Sequence, residues 1–253
     1  MFLKIACILL SAMAICLAGS PLSAAPAKKL LIIGDKPDGH PPKTHEFMAG
    51  GRILADLLKD TPDLEVTLVD GQEPWEAGPD LIRQSNGVVL FVSEGGKWAQ
   101  RDPRRYEALT QLASAGGGIS ALHWGIGAKE GKYTDGYQKL IGGIHGGSDR
   151  KYTKITTKVT PTESHPITQG IAPFEIKDEF YYQLKFAKEG KLTLLLQVEI
   201  EGILQTVSWV WERPDGGRSF GFGPLHFHEN WQKEEYRELI PRAVLWTLKV
   251  PQR

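Results

Sequence analysis

The chain has 253 residues, 41% hydrophobic and 24% charged, with 30 Lys and Arg against 30 Asp and Glu. A zero formal balance leaves no basic excess to attract nucleic acid or an anionic membrane, so neither is expected as a partner. Both cysteines, Cys7 and Cys16, fall in an N-terminal segment with the character of a leader, which excludes thiol catalysis, disulfides and cysteine metal ligands from the rest.

Residues 1–27 have the pattern of a secretory signal: Lys4, an almost wholly apolar run over 5–17, and Ala25-Pro26-Ala27 as a small-residue cleavage site. The run is shorter than the ~20 residues a membrane span requires, so no stable membrane insertion is expected. Ile15, ahead of Cys16, is not the small residue that a lipid anchor would need. The expectation is export to the periplasm or the exterior, leaving 28–253 as a single domain. Loss of Lys4 moves its charge balance to 29 minus 30, or −1. About 225 residues suit one α/β unit that buries roughly 70–75% of its unfolded surface.

Residues 29–34 (KLLIIG) predict a buried strand, followed by a Pro/Gly/His loop over 35–43. Thr44 is a candidate cap for a helix bearing Phe47, Leu54, Leu57 and Leu58 on its apolar face. Strands are predicted at 64–69 and 87–92, and Asp102-Pro103 starts a helix with Tyr106, Leu109, Leu112 and Ala113 on one side. The next strand ends in Gly118-Ile119-Ser120-Ala121-Leu122-His123-Trp124-Gly125. This β-α-β-α-β rhythm predicts a doubly wound, mostly parallel sheet with helices on both faces. The second half is richer in strands, at 152–159, 175–186, 192–198, 204–211 and 218–223. A closing helix carries Tyr236, Leu239, Ala243 and Trp246, with Pro241 expected to kink it or mark its start.

An apolar strand that stops at a histidine, with a glycine two positions on, has the form of an elbow at the carboxyl edge of a sheet. His123 is therefore a candidate acid, base or ligand anchor, and Trp124 a flat wall for a sugar ring. In extended backbone the rings of His226 and His228 share one side. That pair suits proton transfer or, with a third ligand from His45, His123 or Glu179, a divalent metal such as zinc. His45 is placed in the first turn of its helix, where a neutral ring is favoured. Along residues 178–182, Glu179 and Tyr181 take one face, and Asp178, Phe180 and Tyr182 the other. Tyr181 and Tyr182 are candidate substrate contacts, and His145 lies in a glycine-rich loop that could edge the cleft. His40 has no readable context.

The segments Ala121-Leu122-His123-Trp124-Gly125, His165-Pro166-Ile167-Thr168-Gln169-Gly170, Asp178-Glu179-Phe180-Tyr181-Tyr182 and 220–231 (FGFGPLHFHENW) resemble, in this order, the ThuA-like family of trehalose utilisation proteins, related to class I glutamine amidotransferases. The resemblance implies a flavodoxin-like, class I glutamine amidotransferase-like fold and a role in carbohydrate metabolism. In the amidotransferases a cysteine holds the elbow and a later His-x-Glu supplies the base. Here His123 stands at the elbow and the 226–229 segment lies near the expected base, so glutamine hydrolysis through a thioester is ruled out.

The reading that follows is an exported enzyme, a hydrolase, lyase or isomerase acting on a small carbohydrate or keto-sugar. His123, His226 and His228 form its acid/base centre, with Glu179 and His45 assisting. Two alternatives stay open: a non-catalytic carbohydrate-binding protein, and a metal-dependent hydrolase with His226 and His228 as ligands.

Overall fold

The structure, a computed structural model, describes residues 26–162 and 165–251, so the leader reading and both cysteines fall outside the described residues. The first half alternates strands and helices: β1 (Lys28–Gly34), α1 (Phe47–Leu58), β2 (Leu64–Asp70), α2 (Gly78–Arg83), β3 (Gly87–Phe91), α3 (Gly95–Arg101), α4 (Pro103–Ser114) and β4 (Gly118–Leu122). Then come β5 (Gly127–Ala128), α5 (Thr134–Ile141), β6 (Gly143–Gly146), β7 (Lys151–Pro161), β8 (Phe174–Tyr182), β9 (Lys185–Phe186), β10 (Lys191–Ile200), β11 (Ile203–Glu212), β12 (Arg218–Phe222) and α6 (Glu234–Thr247).

Nine strands form one sheet in the order β2-β1-β3-β4-β12-β11-β10-β7-β8. Pairing is parallel from β2 through β12 and antiparallel from β12 to β8. The expected mostly parallel sheet is thus corrected to a mixed one with a parallel and an antiparallel half. The reason lies in the connections: β10–β11 and β11–β12 join through short links that only antiparallel neighbours accept, whereas parallel pairing needs a crossover. Every residue of β3 and β4 is buried, so both faces of the parallel half are covered. Helices α1 and α6 pack together against β1 to β4 and β12, while α3, α4 and α5 form a second group. A small sheet, β5-β6-β9, flanks the site.

Asp102 caps α4 through the backbone N–H of Arg104, with Pro103 in the first turn, as the sequence predicts. Helix α6 instead runs from Glu234 through Pro241 to Thr247, so the proline marks neither end. The segment around His145 is a strand, β6, and not a flexible loop. No helix among the described residues is long and apolar enough to cross a membrane.

Candidate functional site

Strand β4 delivers Leu122, and the backbone then turns at His123 with φ +47° into a 3-10 turn, His123–Ile126. A side chain at position 125 would put its Cβ 2.4 Å from the Leu90 carbonyl oxygen, so only glycine allows the turn to lie this close to β3. His123 Nδ1 donates to the Gly223 carbonyl at 2.8 Å, just beyond β12, which leaves Nε2 facing inward.

Residues 43–45 and 226–228 form a short antiparallel contact around a Thr44–Phe227 bridge: His45 N–H donates to the His226 carbonyl at 3.1 Å and His228 N–H to that of Lys43 at 2.8 Å. This contact joins two histidines 181 positions apart, and His45 Nε2 lies 3.0 Å from His226 Nδ1. His45 itself takes φ +53° ahead of α1, which begins at Phe47 without a side-chain cap. The expected placement in the first helical turn, capped by Thr44, is therefore corrected. Thr44 donates its hydroxyl to the Pro41 carbonyl instead.

Strand alternation works as predicted on β8. Tyr181 OH lies 3.2 Å from His123 Nε2 and Glu179 Oε1 lies 3.7 Å from His226 Nδ1. Asp178 faces the other way, accepting the N–H groups of Leu225 at 2.8 Å and His226 at 3.0 Å. Leu225 has φ +83°, an unfavourable value for a branched side chain, so this carboxylate holds the loop that presents His226. Burial pushes the Asp178 carboxyl up to about 6, against the backbone hydrogen bonds that pull it down.

The nitrogens of His45, His123 and His226 and a carboxylate oxygen of Glu179 all lie within 4.8 Å of one another, every residue buried. His123 Nε2 is 2.9 Å from His45 Nε2. His45 Nδ1 donates to Asp38 at 2.8 Å. Both rings thus spend their Nδ1 proton outside the cluster, and when neutral each turns a bare Nε2 lone pair toward the other. Burial, then the charge of His45, drives His123 well below the usual histidine range. The same causes, in that order, bring His226 to about 3. Burial works against the Asp38 charge, but hydrogen bonds from His45, His40 and Ser93 outweigh it and hold this carboxyl below its usual range. Burial, then Glu179, raises Tyr181 well above the phenol range, so its hydroxyl keeps its proton.

A cavity of about 260 Å³ opens above the cluster, with His45, Glu179 and Tyr181 on its floor and Trp124 and His145 among its walls. His145 stacks on Tyr181 at 4.1 Å between centroids, and Trp124 lies 5.6 Å from His145. Of the residues singled out in the sequence, His45, His123, His226, Glu179, Tyr181, Trp124 and His145 meet at or around this cavity. His228 does not join the cluster: the extended backbone ends at Phe227 and a 3-10 turn begins at His228, so the two-residue alternation expected of 226 and 228 fails. Tyr182 is not among the lining residues, in keeping with its place on the Asp178 face of β8.

Sequence reasoning missed Asp38, Asp178 and His40. His40 stacks on His45 with centroids 3.7 Å apart. The signal for Asp38 and His40 was their position in a Pro/Gly/His loop directly after the first strand, where a parallel sheet places ligands.

A family model described as ThuA, trehalose utilisation, matches residues 40–247. Among solved structures, a putative ThuA-like protein of Bacteroides uniformis is similar with TM-score 0.68 and 15% identity, covering 90% of this chain and 94% of that one. A cytoplasmic protein of Salmonella typhimurium LT2 follows at TM-score 0.61 and 15% identity, over 87% of this chain and 99% of its own. A family 42 β-galactosidase is similar at TM-score 0.56 and 12% identity, over 89% of this chain but 30% of its own. No curated protein matches the sequence.

Proposed function

The chain belongs to the ThuA, trehalose utilisation, family, which supports a role related to trehalose utilisation, and from that premise we propose an exported enzyme that acts on a sugar or keto-sugar at a divalent cation held by His45, His123, His226 and Glu179. The doubly wound, flavodoxin-like arrangement and the periplasmic or extracellular location belong to the same proposal. The observation that carries it is the pair of Nε2 atoms 2.9 Å apart, each ring having committed its other nitrogen as a donor. Two neutral imidazoles in that arrangement repel, and a cation shared with His226, or a proton on one ring, relieves the clash. In tetrahedral zinc sites, with Zn–N near 2.0–2.1 Å, ligand nitrogens lie roughly 3.3 Å apart, close to the spacing here. The outward hydrogen bonds to Asp38 and Gly223 are the supports that metal-bound histidines require.

Such a cation would act as a Lewis acid toward a carbonyl or hydroxyl oxygen of the sugar. The chain's own residues do the rest. Trp124 offers a flat surface to the sugar ring, while Tyr181, whose own ring is stacked on His123 and His145, would supply its hydroxyl as a proton donor. Glu179 would give the cation Oε1, the oxygen toward His226, which leaves Oε2, 3.4 Å from Lys154, to take up a proton when substrate displaces that lysine. His226 and His123 serve poorly as imidazolium acids, because both are held neutral, so the acid/base centre expected from the sequence is recast as a ligand set. His228 drops out of it.

Elemental analysis of protein purified without chelator should give about one divalent ion per chain, and His45→Ala with His123→Ala should abolish it. A metal-free sample that turns over keto-sugars would sink the metal and leave the second reading, in which His45 carries the central proton against Asp38. The 2.8 Å contact between those two favours that version.

A further inference from the structure

The cavity floor explains a reaction centre but not the character of its rim. Three cationic side chains, Lys129, Arg150 and Lys154, line the same cavity as His45 and Glu179. Two are already engaged: Lys129 lies 3.5 Å from Glu94 and Lys154 3.4 Å from Glu179. Arg150 differs. Its Nη1 donates to the Gly147 carbonyl at 3.0 Å, which steadies the guanidinium, but no carboxylate pairs with it among the described residues. It is only half-buried, and among the described residues its fork keeps several free donors in a cleft it shares with Trp124, His145 and Tyr152.

The neighbours of Arg150 reinforce that asymmetry. His145, 2% exposed, lines the cavity with a buried Nδ1 that has no partner among the described residues. Arg150 and Lys185, both positive, act on this ring. Tyr152, beside Arg150 at the start of β7, is 58% exposed and lines the mouth of the cavity. Together these give one end of the cavity a positive field, an unfilled ring nitrogen and an aromatic face open to solvent. Low-dielectric walls focus such a field on whatever enters.

We propose that the substrate is an anionic sugar, a sugar carboxylate or sugar phosphate, whose charged group is held by Arg150 at the rim while the ring lies against Trp124 and Tyr152 and its reacting oxygen reaches the His45–Glu179 end. The size suits one sugar unit, since about 260 Å³ is just below the roughly 300 Å³ at which drug-sized pockets begin. A neutral sugar would leave the Arg150 fork unmatched, so within a role related to trehalose utilisation the substrate is an acidic derivative and not the neutral disaccharide itself. The inference rests on the proposed sugar-acting site but not on its metal.

Titration calorimetry of the full protein with D-glucuronate, D-glucose 6-phosphate, D-glucose and inorganic phosphate tests it, with metal content measured on the same samples. At least one acidic sugar should bind about tenfold tighter than glucose, the effect of one charge-assisted hydrogen-bonded pair. The better of the two identifies a carboxylate or a phosphate. Arg150→Gln should bring that sugar to within about threefold of glucose at unchanged metal content and melting temperature, and Arg150→Lys should keep part of the preference. Glucose binding as tightly as both acidic sugars, neither acidic sugar binding at millimolar concentration, inorganic phosphate binding as tightly as either, or a preference that survives Arg150→Gln each overturns the proposal. An acidic-sugar preference that persists in metal-free protein leaves this inference standing, and turnover by that same sample would sink the metal.

Discussion

At the scale of single residues, the site depends on groups that never touch substrate. Asp38 accepts from His45 at 2.8 Å, from His40 at 2.7 Å and from the Ser93 hydroxyl at 2.9 Å, and so fixes the tautomer of His45. Supports of this kind are worth roughly 10–100-fold in metal affinity. Asp38→Asn should therefore weaken cation binding by about that factor, read by competition with a chelator, with little change in fold. His145 gives a pH prediction. Burial, then Arg150 and Lys185, lowers it to about 3 from an ordinary value of 6.5. Between those two values the folded protein binds fewer protons than the unfolded chain, so this histidine's contribution is fully present above pH 6.5 and is lost as pH falls toward 3. Its ring faces Tyr181 and Trp124 as well as those two cations. The stability gap between wild type and His145→Gln, from denaturant melts, should move in the variant's favour on acidification. A gap independent of pH would show that His145 titrates normally.

Among the elements, the turn after β4 decides whether His123 faces the cluster. The Tyr137 hydroxyl donates to the Gly125 carbonyl at 2.7 Å, and Gly95, the first residue of α3, packs directly on that carbonyl. A Cβ at position 95 would stand 2.0 Å from the Gly125 oxygen, which is backbone and cannot swing away. Gly95→Ala should thus cost about 2 kcal/mol or more in stability and lower cation occupancy together with it. Thermal melting and elemental analysis of the one variant check both effects, and full occupancy would mean the elbow does not depend on α3. Elbow, strand β8 and the 43–45/226–228 contact are separate elements, each supplying one or two of the clustered His and Glu side chains, so damage to one should leave the others in place.

Across the whole molecule, the parallel half carries His123 and the antiparallel half carries Glu179 and Tyr181, so the site exists only where the two halves meet. Trp209 on β11 helps to hold that junction. It is wholly buried, packs on Phe186 at 5.4 Å between centroids, and donates its indole N–H to the Ile141 carbonyl at 2.9 Å. Trp209→Ala should destabilise by about 3–5 kcal/mol, measured as a shift in denaturant midpoint at constant slope. A cation bound only by the folded chain adds to stability by mass action, so chelation should lower the melting temperature of wild type but not of the His45→Ala, His123→Ala variant.

Local chemistry was enough for the sequence to determine the first strands, the Asp102-Pro103 helix start, the elbow at His123 and the shared face of Glu179 and Tyr181. Each depends on nearest neighbours, on periods of two or 3.6, or on a proline and glycine at fixed offsets. Only the tertiary structure decided that His45 joins the cluster and His228 does not. That outcome depends on one bridge between segments 181 positions apart and on a loop held at Leu225 by Asp178, neither of which has a local signature. The antiparallel half of the sheet, and the lack of a carboxylate partner for Arg150 among the described residues, were decided there too, because strand order and charge partners are properties of chain segments brought together by packing.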